Sequence, residues 1–108
     1  MKTRQEQVWK ALADPTRRRI LDLLAARSHN TGEICGHFRR LTRFGIMKHL
    51  AVLEKAGLVL TRRDGRFNWH FFNAVPIRKI YERWVSKYVG DLSHTLIELK
   101  NFSEDQKH

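Results

Sequence analysis

The order of apolar and polar positions predicts helices along most of the chain, interrupted once by a pair of strands. Between residues 58 and 73 two strand-like runs flank Asp64-Gly65, which is typical of a tight β-hairpin. Elsewhere the apolar residues recur at helical spacing. The predicted helices cover residues 5–13, 15–27, 32–38, 42–56 and 76–101. We therefore expect a mainly α fold with a small β-hairpin (α+β), in a single domain over residues 1–102 followed by a polar tail at 103–108.

Capping residues mark the ends of several predicted helices. Asp14-Pro15 separates the first two, because Asp is a good N-cap and Pro is preorganised for the first helical position. Thr42 precedes the fourth helix as its expected N-cap, and Gly57 ends it where a left-handed residue is expected. The third and fourth helices are joined by a short connection ending at Leu41, which we expect to be buried. This arrangement is a helix-turn-helix pattern.

The fourth helix has two unlike faces. Ile46, Leu50 and Leu53 form its apolar side, and the opposite side is basic and uneven. A helix held by an apolar back and offering a basic front suits the major groove of DNA. An ordinary amphipathic surface helix is the alternative. The residues on the front are Arg43, Phe44, Gly45, Met47, Lys48, Ala51 and Lys55.

The hairpin concentrates arginine at its tip. With Asp64-Gly65 as the central residues of the turn, Arg63 lies opposite Arg66 and next to Arg62. Like charges placed together cost stability, and a phosphate backbone would supply their counter-charge. The second strand alternates apolar and polar residues, which predicts one apolar face: Phe67, Trp69 and Phe71 against Asn68 and His70.

Charge and cysteine content narrow the class of protein. The 108 residues carry a net charge of +10, which indicates a polyanionic partner, either nucleic acid or an acidic membrane surface. Between Arg39 and Arg66 there are eight basic and two acidic residues, so +6 of that charge lies in about a quarter of the chain. The single cysteine, Cys35, excludes an intramolecular disulfide and favours a reduced, cytoplasmic location. No apolar run approaches the ~18 residues of a membrane span, and no export signal is evident.

The arginines that begin the second helix need an explanation of their own. Arg17, Arg18 and Arg19 oppose the helix macrodipole, so they do not stabilise their own helix. A phosphate contact, a carboxylate partner or a solvated cluster without a role would each account for them.

The last predicted helix is longer than a small domain can cover. About 25 residues span roughly 38 Å, and apolar residues form a broad stripe along that length. Part of the stripe therefore needs a partner, and a second copy of the chain is the simplest candidate. Folding back over its own core is the alternative.

Three blocks of sequence resemble the ArsR-type transcriptional regulators. They are ALADPTRRRILDLL in the first two helices, KHLAVLEKAGLV in the fourth helix and TRRDGRFNWHFF in the hairpin. The resemblance covers residues 5–73 closely and the C-terminal helix more loosely. It implies a winged helix-turn-helix with a long C-terminal dimerisation helix. It also implies a homodimeric repressor that binds a palindromic operator in double-stranded DNA and leaves it when an inducer binds.

The same resemblance implies roles for particular residues. The DNA-facing positions fall on Thr42, Arg43, Phe44, Gly45, Met47 and Lys48 in the recognition helix, and on Arg62, Arg63 and Arg66 in the wing; we add Arg17 as a phosphate contact. The first and last helices would form the dimer interface through Val8, Trp9, Tyr81, Trp84, Tyr88, Leu92 and Leu96. Related regulators usually carry small polar residues where Phe44, Gly45 and Met47 stand. Contacts to thymine methyl groups from Phe44 or Met47 suit this change, while Arg43 or Lys48 addresses guanine edges.

Metal and catalytic functions have weaker support. Cys35 and His37 are two residues apart on a helix and so point about 200° apart, and Cys35 is expected to be a small buried hydrophobe. Asp91 and His94 lack a further histidine to complete a site. The FGIMKHL sequence at 44–50 resembles a sub-branch without a metal inducer, found beside genes of the activator-of-Hsp90-homologue or START-like type. We expect no cofactor and no enzyme activity. A metal-responsive sensor and a nonspecific nucleic-acid-binding protein remain the alternatives to a sequence-specific regulator.

Overall fold

The computed structural model describes residues 3–105, and it confirms a mainly α fold with a small sheet. The chain forms two compact units, one up to Ile77 and one from Arg78 onward, where a single domain is expected from the sequence. In chain order the elements are α1 (Arg4–Leu12), α2 (Pro15–Ala26), β1 (His29–Asn30), α3 (Thr31–His37), α4 (Arg43–Lys55), β2 (Val59–Asp64), β3 (Phe67–Phe72), α5 (Val75–Ile80), a π-helical turn (Tyr81–Val85) and α6 (Ser86–Asp105).

The first four helices begin and end within one residue of their predicted bounds. Asp14 caps α2, with its carboxylate accepting the amide of Arg17 at 3.0 Å, and this bond lowers the pKa of the Asp14 carboxyl. The Thr42 hydroxyl accepts the amide of Gly45 at 3.0 Å and so begins α4. The C-terminal helix extends past its predicted end at 101 as far as Asp105. The predicted tail at 103–108 is therefore helical in its first three residues, and 106–108 lie outside the described residues.

The junction between α4 and the hairpin is short and closed by hydrogen bonds. Gly57 has a positive φ of 78°, as predicted for the residue that ends the helix. The amides of Gly57 and Leu58 donate to the carbonyls of Glu54 and Leu53, both at 2.9 Å, which is a Schellman motif. Asn73 closes the other side, because its side-chain amide donates to the Gly57 carbonyl at 2.8 Å and its backbone amide to the Leu58 carbonyl at 2.9 Å.

Three antiparallel strands form the sheet in the order β1-β3-β2. The hairpin turn lies one residue after its predicted place, which shifts the partner of each β2 residue by two. Asp64 pairs with Phe67, so the turn consists of Gly65-Arg66. Within residues 3–105 only Gly57 and Gly65 have positive φ, and a turn with glycine first follows the type II′ pattern. A type I′ turn needs positive φ at both central residues, whereas a type II′ turn needs it only at the first, which here is Gly65. Arg63 consequently lies opposite Asn68, and the predicted Arg63–Arg66 pair does not form.

The core of the first unit is apolar and is contributed by helices α1 to α4, the residues that directly follow α3 and α4, and the start of β2. Its members are Val8, Ala11, Ile20, Leu21, Leu24, Ile34, Phe38, Ile46, Leu50, Leu53, Ala56, Leu58 and Val59. Leu41, expected to be buried, is exposed because it lies on the turn before α4. Cys35 is half-buried rather than fully buried, since Ile34 takes the inward position on the short helix α3.

The hairpin turns its polar side, not its aromatic side, toward the core. His70 is 4% exposed, whereas Phe67 and Phe71 are exposed. The predicted apolar face of β3, with Phe67, Trp69 and Phe71 on one side, is confirmed, and it lies on the side of the sheet away from the core. The physical reason is that both nitrogens of His70 are hydrogen-bonded: Nε2 lies 2.8 Å from Thr31 Oγ1, and Nδ1 lies 2.9 Å from Thr61 Oγ1.

These contacts fix the protonation pattern of the buried histidine. Thr61 donates its hydroxyl proton to Glu54 Oε1 at 2.5 Å, so toward His70 it accepts, and Nδ1 carries the proton. Nε2 is then the acceptor for the Thr31 hydroxyl. One chain of hydrogen bonds thus joins α3, β3, β2 and α4. Burial lowers the pKa of His70, although the Glu54 carboxylate, 3.8 Å from Nδ1, opposes this.

The lowered pKa of His70 predicts that acid destabilises the fold. Below the ordinary pKa of 6.5 the unfolded chain binds a proton that the folded chain does not, so the free energy of unfolding falls as pH falls through that value. The loss from this residue is at most about 1.4 kcal/mol one pH unit below 6.5. Urea unfolding at about pH 7.5 and pH 5.5 should show a smaller acid loss for His70→Gln than for the wild type.

His94→Gln, a change at an exposed histidine, is the control and should retain the wild-type acid loss. Because the core variant is at risk of unfolding, the wild-type His70 ring should also be followed by NMR. Protonation of that ring at or above pH 6.5 would contradict the prediction.

Candidate nucleic-acid interface

The first two turns of α4 carry an exposed surface that is both basic and apolar. Phe44 is 69% exposed and Met47 53%, and Arg43 and Lys48 are exposed beside them. The Lys48 ammonium lies 4.8 Å from the centre of the Phe44 ring, so the cation and the ring form one surface. The two faces predicted for this helix are confirmed by its burial pattern.

The back of α4 fixes the orientation of this surface. Ile46, Leu50 and Leu53 are buried, and the helix packs against α1, α2 and α3. Thr42 is exposed at the N-cap and Gly45 is half-buried in the first turn. A helix held on three sides presents its N-terminal residues to solvent in one orientation, as groove binding requires.

The wing, which is the hairpin of β2 and β3, distributes its arginines over two faces and the turn. Arg62 pairs with Trp69 and Arg63 with Asn68, and successive residues of a strand point to opposite faces. Arg66 lies in the turn, with its guanidinium 5.4 Å from the centre of the Phe67 ring. Arg63 Nε donates to the Gly65 carbonyl at 3.1 Å. The cations at the tip therefore do not oppose one another across the ladder.

Arg17 has a structural role that the sequence analysis does not anticipate. Its Nε donates to the Ala11 carbonyl and its Nη2 to the Lys10 carbonyl, both at 2.9 Å, and Arg18 Nη1 donates to the Leu12 carbonyl at 2.6 Å. These carbonyls belong to the last turn of α1, where a cation is favourable. Two of the five N–H donors of Arg17 are thus used at the end of α1, and its expected contact with phosphate stays a prediction. In the sequence, three consecutive arginines a few residues after the end of a helix are the pattern that could have indicated this structural role.

The same guanidinium also reaches the recognition helix. Arg17 Nη1 lies 3.3 Å from His49 Nδ1, and since arginine only donates, this nitrogen accepts. Arg19 makes a different contact, in which its guanidinium lies 4.9 Å from the centre of the Phe38 ring.

The residues expected at a dimer interface differ in their exposure. Val8 is buried in the core of the first unit, so it offers no surface to a partner, which corrects that expectation; Trp9, one residue on, is exposed. In the second unit Ile80 is buried. The large apolar side chains after it are exposed, at Tyr81, Trp84, Val85, Tyr88, Val89, Leu92, Leu96, Ile97, Leu99 and Phe102. No helix between residues 3 and 105 has both the length and the apolar character needed to cross a membrane.

The candidate metal ligands do not converge among the described residues. Within residues 3–105 no group of three or more His, Cys, Asp or Glu side chains is arranged to hold an ion. His37 meets the ring of His29 edge-on, with 5.6 Å between the ring centres. On α6, His94 Nε2 lies 2.7 Å from Glu98 Oε1, one turn away.

Comparisons with known proteins agree on one class. A helix-turn-helix domain family matches residues 12–62. The chain is 37% identical over 91 residues to an uncharacterized HTH-type transcriptional regulator, YuzN, of Bacillus subtilis. This alignment covers 79% of this chain and 99% of that protein. The chain is also 37% identical over 83 residues to the transcriptional repressor SdpR of the same organism, covering 77% and 90%. A crystal structure of the ArsR family transcriptional regulator RHA00566 superposes with a TM-score of 0.74 at 26% identity, covering 84% and 98%.

The contacts of Arg17 predict that its loss affects stability. Arg17→Met keeps the aliphatic stem but removes the bonds to the α1 carbonyls and His49, so the free energy of unfolding should fall by about 1–3 kcal/mol. Arg40→Met removes an exposed arginine of the loop before α4 and should change it by less than about 0.5 kcal/mol. Urea unfolding measures both, and equal stability of the two variants would contradict the structural role.

Proposed function

This chain belongs to the ArsR-type winged helix-turn-helix transcriptional regulators, and we propose that it is a homodimeric repressor that binds a palindromic operator and is released by an inducer. It is a DNA-binding transcriptional regulator. The proposal rests on one observation: the first unit contains both the exposed basic start of α4 and a wing that carries arginines. The repressor name of SdpR, to which it is similar along most of that protein's length, supports the direction of regulation.

Base reading is assigned to the start of α4. Arg43 and Lys48 are exposed cations suited to guanine edges, and the exposed side chains of Phe44 and Met47 suit thymine methyl groups. Thr42 and Gly45 complete the turn that enters the groove, because small residues at the N-terminus of the helix let the backbone approach closely. Because apolar side chains lie beside the cations on this surface, it suits readout of methyl groups and of DNA shape as well as hydrogen bonds to bases.

Phosphate binding is assigned to the wing. Arg62, Arg63 and Arg66 are exposed, and none is paired with an acidic side chain in the contacts described above. Contacts to phosphate release counterions, so they supply affinity that depends on salt and not on sequence.

Dimerisation is assigned to the second unit. Tyr81, Trp84, Tyr88, Leu92 and Leu96 are exposed on a helical segment that continues to Asp105. An apolar stripe of this length is typical of an interface, and a twofold-symmetric dimer would match a palindromic operator. In the first unit Trp9 on α1 is also exposed, and its place in a dimer contact stays a prediction.

We further place the chain in a sub-branch that does not sense metals. The support is the resemblance of the FGIMKHL sequence at 44–50 to that sub-branch. The inducer would then be an organic molecule or a protein, with release from DNA as its effect.

Two substitutions separate phosphate contacts from base contacts. After selection of bound sites from random DNA, Arg62→Ala should weaken binding to operator and random duplex alike and reduce the salt slope by about 1. Arg43→Ala should instead relax the preference at particular base pairs, by about 1–3 kcal/mol each. Fluorescence anisotropy over a range of salt concentrations measures both. If neither variant changes operator affinity, the interface is assigned to the wrong residues.

The dimer assignment predicts that one charge on the apolar stripe produces monomers. Leu92→Glu should dissociate the dimer, because a carboxylate buried without a partner is strongly unfavourable. Asn101→Glu adds the same charge on the opposite side of α6, about 180° around the helix, and should leave the dimer intact. Sedimentation velocity measures the mass of each, and a monomeric wild type would overturn the assignment.

A further inference from the structure

The wing has an exposed aromatic face whose rings take no part in the proposed duplex contacts. In the observed register Leu60 pairs with Phe71, Arg62 with Trp69 and Asp64 with Phe67. Directly paired residues of an antiparallel ladder share a face, so these six residues form one surface, which we call the outer wing face. The opposite face carries Thr61 and His70 and turns toward the core.

Folding of the first unit does not account for these aromatic residues. Leu60 is 56% exposed, Phe67 46% and Phe71 42%, while Trp69 is half-buried. The core is filled from the other side of the sheet, where the hydrogen-bonded His70 takes the inward position. Large aromatic side chains left on a strand surface are typical of a binding site.

We propose that the outer wing face is a stacking platform for the unpaired bases of single-stranded nucleic acid. Phe67, Trp69 and Phe71 occur at alternate positions of β3, so their rings follow one another at about 7 Å along the strand. Aromatic side chains spaced along a sheet surface bind successive unstacked bases, and they tolerate any base because every base has a flat face.

The cations around these rings suit a nucleic-acid backbone. Arg62 lies directly across from Trp69, and the Arg66 guanidinium is 5.4 Å from the centre of the Phe67 ring. A groove joins the face to the loop before β1. Its volume of about 510 Å³ is within the size range of sites for small organic molecules. The residues lining it are Ser28, Arg62, Arg63, Asp64, Trp69 and Phe71. Asp64 is the one acidic group among them, so the groove is cationic overall.

A single strand fits this face better than a duplex does. In a duplex the base faces are stacked on one another, so aromatic rings reach them only where bases are unstacked. A purely apolar protein partner would not explain arginine beside the rings, where the chain's positive charge is already concentrated. The proposal is independent of the operator contacts of α4.

The test compares single-strand and duplex binding in crossed variants. Labelled oligo(dT) of about 12 nucleotides and the selected duplex operator are titrated with full-length protein by anisotropy. Trp69→Ala and Phe71→Ala should each lose about fivefold or more in single-strand affinity and retain duplex affinity. Phe44→Ala, on the recognition helix, should show the reverse pattern. Failure of the duplex arm alone would count against the proposed function and not against this platform.

A spectroscopic readout separates stacking from a merely structural role. Oligo(dT) should quench tryptophan fluorescence of the wild type through a base stacked on Trp69. Trp69→Phe keeps a ring at this position, so it should bind the oligonucleotide nearly as well but lose most of the quenching. The proposal is overturned if Trp69→Ala binds oligo(dT) like the wild type. It is also overturned if the face variants weaken duplex binding instead, or if they change the oligomeric state, since a duplex or a second copy would then cover this face.

Discussion

The buried hydrogen-bond chain at His70 is the interaction on which the position of the wing depends. It passes from Thr31 on α3 through the ring to Thr61 on β2 and on to Glu54 at the end of α4. Apolar packing alone would let a two-stranded hairpin slide or tilt on the helices, since such contacts have no direction. Two directional bonds to one ring define a single register instead. The helix-turn-helix and the wing therefore act as one body, and an unpaired nitrogen at this place would be costly.

Arginine serves three different purposes in this chain, and sequence alone does not separate them. Arg17 and Arg18 donate to the carbonyls at the end of α1, and Arg17 also touches His49 on the recognition helix. Arg19 lies over the ring of Phe38, whereas Arg62 projects from the wing. A net charge of +10 thus overstates the charge that is available to a polyanion, because part of it neutralises the dipole of a neighbouring helix.

Local signals made most of the fold predictable. Asp14, Thr42 and Gly57 act through their own backbone neighbourhood, so the helix bounds follow from them to within a residue. The features that the sequence does not reveal concern partners distant in sequence. The inward turn of His70 depends on a threonine 39 residues away, and the role of Arg17 on helix ends brought together by packing. The hairpin register was missed for a subtler reason, since Asp-Gly and Gly-Arg both place the glycine in the turn. The exposed face of α4 was predictable; its DNA contacts remain a proposal.

The short junction at Gly57 has a consequence for how the protein meets a double helix. Only Ala56, Gly57 and Leu58 separate α4 from β2, and Asn73 holds this segment from the other side. The span between the recognition helix and the wing is therefore a fixed length. A preorganised span loses little conformational entropy on association. In the proposed complex the duplex would then be the partner that deforms. Sites whose grooves already match the span, or deform to it readily, would be favoured even at base pairs that no side chain touches.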